Sequence, residues 1–142
     1  MRKLLGDVSV AGQLTAAQLT AYVDEGFKSF INNRPDNETP MQPSNASLAA
    51  HAESLGVDYR HIPMAGGLGE TVIMASIEAY KDMPRPILAF CGSGMRSAAI
   101  WGFVHVGEYG VDGVLDAMSE VGYNLEQLRS QLTARAAQIE RE

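Results

Sequence analysis

The sequence has 142 residues, 46% of them apolar and 20% charged, with a net charge of −6 and a pI near 5.0. That length suits one domain with a sizeable core, so residues 1–142 are read as a single domain. The acidic balance argues against a general nucleic-acid binder, whose surface is normally basic.

No stretch approaches the about 18 apolar residues of a membrane span. The start, MRKLLGDVSVAGQ, lacks the apolar core of a secretory leader. One cysteine, Cys91, cannot form an internal disulfide. The expectation is a cytoplasmic chain with neither a nucleic-acid nor a membrane partner.

In chain order, Val8–Leu14 begins as a short strand. Thr15 and Gln18 form a capping box for a helix, Leu14 and Leu19 stand at staple positions, and Gly26 closes it. Phe27–Asn33 alternates like a strand, and the proline-rich stretch Arg34–Pro43 is a loop. Ser44–Gly56 reads as a helix, Asp58–Met64 as a strand and Ala65–Gly69 as a loop. Helical spacing of Ile73, Ile77, Tyr80 and Met83 marks a helix over 70–83, broken by Pro84 and Pro86.

Ile87–Cys91 is a continuous apolar run, the pattern of a strand buried on both faces. Helices follow over about 97–108 and 112–121. A last helix over 124–140, capped by Asn124 and Gln127, carries Leu125, Leu128, Leu132, Ala136 and Ile139 on one face. The alternation of strands and helices predicts an α/β domain with a central, mostly parallel sheet and a helical C-terminal end.

The chemistry concentrates in AFCGSGMRSAAIWG, residues 89–102. A buried strand runs into Cys91, then Gly92, Ser93, Gly94, Met95 and Arg96, then a helix. Such a turn gathers backbone N–H groups around one point, and the helix dipole adds positive potential. Gly92 and Gly94 permit the required backbone angles and close approach of an anion. Arg96 offers a two-pronged grip on an oxyanion.

A thiol in that field can fall from ~8.5 into the range ~3.5–7.5, which makes Cys91 a nucleophile. Ser97 is a candidate donor to its sulfur. A lone cysteine ending a strand can also be a small core residue. The glycines, the arginine and the helix start favour the nucleophile.

CGSGMRS resembles the active-site loops of cysteine-based phosphatases and of rhodanese-type sulfurtransferases. VAGQLTAAQL, INNRPD, CGSGMRSAAIWG and AMSEVGYNLEQLR together resemble the bacterial beta-lactamase-hydrolase-like, phosphatase-like family, also described as a family of proposed sulfurtransferases. The resemblance implies the protein-tyrosine and dual-specificity phosphatase fold, a twisted sheet flanked by helices with the cysteine loop at its C-terminal edge. It also implies a metallo-hydrolase or persulfide dioxygenase as a fused domain or partner, and this chain is too short to contain one.

Two departures bear on the reaction. Four residues separate Cys91 from Arg96. The phosphatase signature has one more, and the rhodanese loop has four. Phosphatases of this fold also place an aspartate general acid in an upstream loop. The corresponding stretch, Pro63–Glu70, has only Glu70.

Asp58 lies nearby in sequence, at the start of a strand. Loss of a general acid typically costs ~10²–10⁴ in rate. Sulfur transfer needs none, because its leaving group departs as a stable anion. The leading expectation is therefore a sulfurtransferase working through a Cys91 persulfide, with a small-molecule sulfur donor and an external thiol acceptor. The alternative is a phosphatase that forms a Cys91 phospho-enzyme on a small anionic substrate. A third is a non-catalytic sulfur carrier or anion sensor.

Arg34, at the exit of a strand, is a candidate for substrate binding, or for bracing the loop through Asp36. His51, His61 and His105 carry no metal-ligand spacing, and no metal or cofactor is expected. Trp101 and the methionines read as packing residues, with Met95 at the pocket mouth.

Overall fold

The computed structural model describes residues 1–142. Strands β1 (Arg2–Lys3), β2 (Val8–Ala11), β3 (Ser29–Asn32), β4 (Asp58–His61) and β5 (Ile87–Phe90) form one sheet in the order β1-β2-β5-β3-β4. The β1–β2 pair is antiparallel and all other pairs are parallel. The helices are α1 (Ala16–Asp24), α2 (Asn45–Ser54), α3 (Glu70–Asp82), α4 (Met95–Glu120) and α5 (Arg129–Glu140).

The apolar run of β5 follows from its central place. Successive side chains of a strand face opposite ways, so both faces must be apolar when both are covered. Ile87 and Ala89 join a large core with Val8, Val10, Ile31, Trp101 and Leu132. Leu88 and Phe90 join a smaller core with Leu14, Leu19, Phe30 and Leu48. Helices α1 and α2 therefore cover one face, and α3, α4 and α5 the other.

Local signals act as read at several points. Thr15 Oγ1 accepts from Gln18 N, and Gln18 Oε1 from Thr15 N, so the capping box starts α1. Other boundaries differ. The alternation in Phe27–Asn33 predicts one wet face, yet all of β3 is buried because both faces are covered, Phe30 in the smaller core and Ile31 in the large one. Its polar side chains are satisfied there, with Ser29 Oγ donating to the Pro84 carbonyl at 2.6 Å.

The two helices expected after the cysteine loop meet at Gly110, whose φ of 78° breaks the helical path. The first of them begins at Met95 rather than Ser97. Residues 126–128 form a 3-10 turn before α5. Asn124 Oδ1 accepts from Glu126 N, so it caps that turn without Gln127. Strand β1 has only two residues and no sequence signal of its own.

Candidate active site

Parallel strands β2, β5 and β3 end together, and the loops leaving them build one site, the usual place for function in an open α/β sheet. Cys91 follows β5 directly. Its N–H donates to the Ala11 carbonyl at 3.3 Å, and Asn33 N–H donates to the Phe90 carbonyl at 2.8 Å. Gly12 lies so close that a Cβ there would stand 3.0 Å from the Gly92 carbonyl oxygen. Gln13 N–H donates to that same oxygen at 3.3 Å.

The loop turns at Gly94, whose φ of 93° is left-handed, and α4 starts at the next residue. Gly94 N–H points at Cys91 Sγ, 3.1 Å away. Cys91 is fully buried. Burial alone would push its thiol up. The backbone N–H groups of Ser97, Gly94 and Ser93 outweigh that effect and hold the thiol below its ordinary pKa. Arg96 also faces the sulfur and favours its charged form.

The Ser97 hydroxyl, expected to face the sulfur, contributes least among the groups that lower the thiol and has a second partner. It donates to Asn33 Oδ1 at 2.9 Å, while Asn33 Nδ2 donates to the Ile62 carbonyl at 2.9 Å. Ser97 therefore addresses the sulfur mainly through its backbone N–H, and its side chain also ties α4 to the end of β3. Ser93 Oγ accepts from Met95 N at 3.3 Å, and Met95 is exposed at the loop's outer side.

Two guanidinium groups share one carboxylate beside this loop. Arg96 grips Glu38 with both prongs, Nη1 to Oε2 at 2.9 Å and Nη2 to Oε1 at 2.8 Å. Arg34 Nε donates to the same Oε1 at 2.9 Å. These bonds, with Arg96 leading, pull the Glu38 carboxyl down to about 2. Arg96 Nη1 also donates to the Met64 carbonyl at 3.0 Å, and Arg34 Nη1 to Gln13 Oε1 at 3.0 Å. Both guanidiniums lie over Gly92, where a Cβ would meet Arg96 Nη2 at 3.5 Å and Arg34 Nε at 3.7 Å.

The expected Arg34–Asp36 brace is thus an Arg34–Glu38 brace. Asp36 Oδ1 instead accepts from Asn45 N at 2.8 Å and holds the start of α2. Glu38 was not singled out in the sequence. Its one signal is the spacing of four from Arg34 within the loop.

Asp58 cannot serve as a general acid. It begins β4, in register with Ser29 and Ile87 at the N-terminal edge of the sheet, while Cys91 leaves the opposite edge. It pairs with Arg60 at 3.9 Å. Glu70 opens α3, exposed, after the loop whose Met64 carbonyl holds Arg96. The histidines are structural. His51 Nε2 pairs with Thr20 Oγ1 at 2.8 Å, His61 Nε2 with the Arg34 carbonyl at 2.9 Å, and buried His105 stacks on Trp101.

A mostly parallel five-stranded sheet with a strand, cysteine loop and helix at its C-terminal edge defines a protein-tyrosine and dual-specificity phosphatase-like domain. The chain belongs to the family described as beta-lactamase hydrolase-like protein, phosphatase-like domain, whose model matches residues 1–108. It is 35% identical over 98 residues to the beta-lactamase hydrolase-like protein of Agrobacterium fabrum, covering 66% of this chain and 22% of that one. The corresponding figures for the Xylella fastidiosa protein of the same description are 30% over 100 residues, 70% and 23%. The chain therefore spans less than a quarter of these relatives.

Among solved structures, a candidate phosphatase of Neisseria meningitidis superposes with a TM-score of 0.81 at 28% identity, covering 94% of this chain and 96% of that one. The core catalytic domain of a PP-IP phosphatase of S. cerevisiae shares the fold, with a TM-score of 0.66 at 14% identity and coverage of 90% and 82%. These comparisons support a cysteine-based, phosphatase-like enzyme and give no support to sulfur transfer.

Proposed function

We propose that this domain is a cysteine-dependent phosphohydrolase acting on small phosphate esters or anhydrides with good leaving groups. The observation that carries the proposal is the convergence of N–H groups from the loop and the first turn of α4 on a Cys91 sulfur with a lowered pKa, beside Arg96. Family membership and the solved relatives support the same reading.

In this scheme the Cys91 thiolate attacks phosphorus. A P–S bond forms as the bond to the leaving oxygen breaks. The loop amides and Arg96 neutralise the charge on the phosphoryl oxygens. Water then cleaves the P–S bond, releasing phosphate and the thiolate. The loop before α3 offers no aspartate to protonate the departing oxygen. Leaving groups that depart as stable anions, such as acidic phenols and phosphates, are therefore favoured.

A second reading rests on one observation: the four residues between Cys91 and Arg96 make a tighter cradle than the phosphatase signature. That cradle suits a sulfane sulfur, with Cys91 taking it from a donor as a persulfide and passing it to an external thiol. On this reading a metallo-hydrolase or persulfide dioxygenase is a fitting partner.

The test is parallel turnover of an aryl phosphate with an acidic phenol and of thiosulfate with cyanide, each with a Cys91→Ser control. Phosphate release lost in the control supports the first reading. Thiocyanate formation alone replaces it with the second.

A further inference from the structure

We propose that Tyr123 is a positioning residue for the nucleophile: it fixes the peptide unit that aims its N–H at the Cys91 sulfur. The inference rests on Cys91 as the reacting thiol.

The Ser93 carbonyl and the Gly94 N–H belong to one planar trans peptide, so they point in opposite directions. Gly94 N–H donates to Cys91 Sγ at 3.1 Å, and on the far side Tyr123 Oη donates to the Ser93 carbonyl at 3.0 Å. A tether on the oxygen therefore sets the direction of the N–H. The tether matters because Gly94 can rotate the peptide at little steric cost. Bonding at the oxygen also polarises the amide and strengthens its donation to sulfur.

Tyr123 is itself held. It is 5% exposed, and Arg2 lies over its ring, 4.8 Å from the centroid, while Arg2 Nη1 donates to the Val121 carbonyl at 2.7 Å. The packing also explains the residue at 94, since a Cβ there would collide with Tyr123 Oη. Burial raises the phenol pKa, Arg2 over the ring partly offsets it, and the nearby Cys91 charge adds to it, so the phenol keeps its proton while the thiolate forms. The other charged groups around the sulfur are Arg96 on α4 and, across Gly92, Arg34 and Glu38. A change at Tyr123 leaves all three in place.

The test is Tyr123→Phe, which keeps the ring and removes the hydroxyl. Thiolate formation is followed by ultraviolet absorbance against pH, each protein measured against its own Cys91→Ser partner. This readout needs no substrate, so it stays informative if the phosphohydrolase reading fails. The expected result is a midpoint raised by roughly half to one pH unit in a folded protein. An unchanged midpoint overturns the proposal and leaves Tyr123 as a packing residue. If Tyr123→Phe does not fold, Arg2→Lys, which keeps the positive charge and loosens the clamp on the ring, takes its place. A rise in midpoint is expected there too, and no rise overturns the proposal.

Discussion

Replacing Glu38 by glutamine should destabilise the protein near neutral pH and much less near about pH 3. The carboxylate accepts three charge-assisted bonds from Arg96 and Arg34, and its pKa falls from 4.5 to about 2. A folded pKa below the unfolded one means the unfolded chain binds the proton more readily. The stabilisation is therefore complete above 4.5 and is lost as pH falls towards about 2.

Taken at face value, that shift is worth roughly 3 kcal/mol. The side chain is 32% exposed, and screening reduces the figure to about 1 kcal/mol. Arg34, with a side chain only 10% exposed, keeps Gln13 as a partner, so no buried cation is stranded. Denaturant unfolding of both proteins from about pH 7 to about pH 3 reads the difference directly. Equal stability at neutral pH, or a difference that does not shrink on acidification, would refute the reasoning.

Other outcomes follow from the same geometry. Arg96→Lys loses the planar fork that grips Glu38, and kcat/KM on an aryl phosphate should fall roughly 10²-fold; a loss below about threefold would remove Arg96 from the chemistry. Leu132→Ala opens a cavity where α5 packs on α4 at Gly102, and should cost about 2–4 kcal/mol in denaturant unfolding. Asn33→Ala strands the Ile62 carbonyl and should cost about 1–3 kcal/mol. It also leaves the Ser97 hydroxyl to the sulfur alone, so the thiolate midpoint should not rise; a rise would mean that Asn33 shapes the loop itself.

Much of the frame was legible because its signals are local. The run Ile87–Phe90 carries its double burial in its own composition, and Thr15 with Gln18 marks a helix start within four residues. The cysteine loop is legible for the same reason: thiol, glycines, arginine and helix start are contiguous.

What surrounds that loop was harder to read. Asp36 and Glu38 stand in one proline-rich loop, and only the folded path decides which acid meets Arg34. Tyr123 reaches Ser93 across a separation of 30 residues, which no periodicity signals. Asp58 was a candidate acid by distance in sequence. In a parallel sheet that distance says little, because a strand's two ends lie on opposite edges.

The central claim is that Cys91 is a nucleophile that becomes phosphorylated. The most direct measurement is intact mass of the protein, quenched in acid within a single turnover of an aryl phosphate, beside Cys91→Ser. A gain of one phosphoryl group, located at Cys91 and absent from the variant, is the predicted result. Phosphate release without any adduct, at a rate unchanged in Cys91→Ser, would contradict the account.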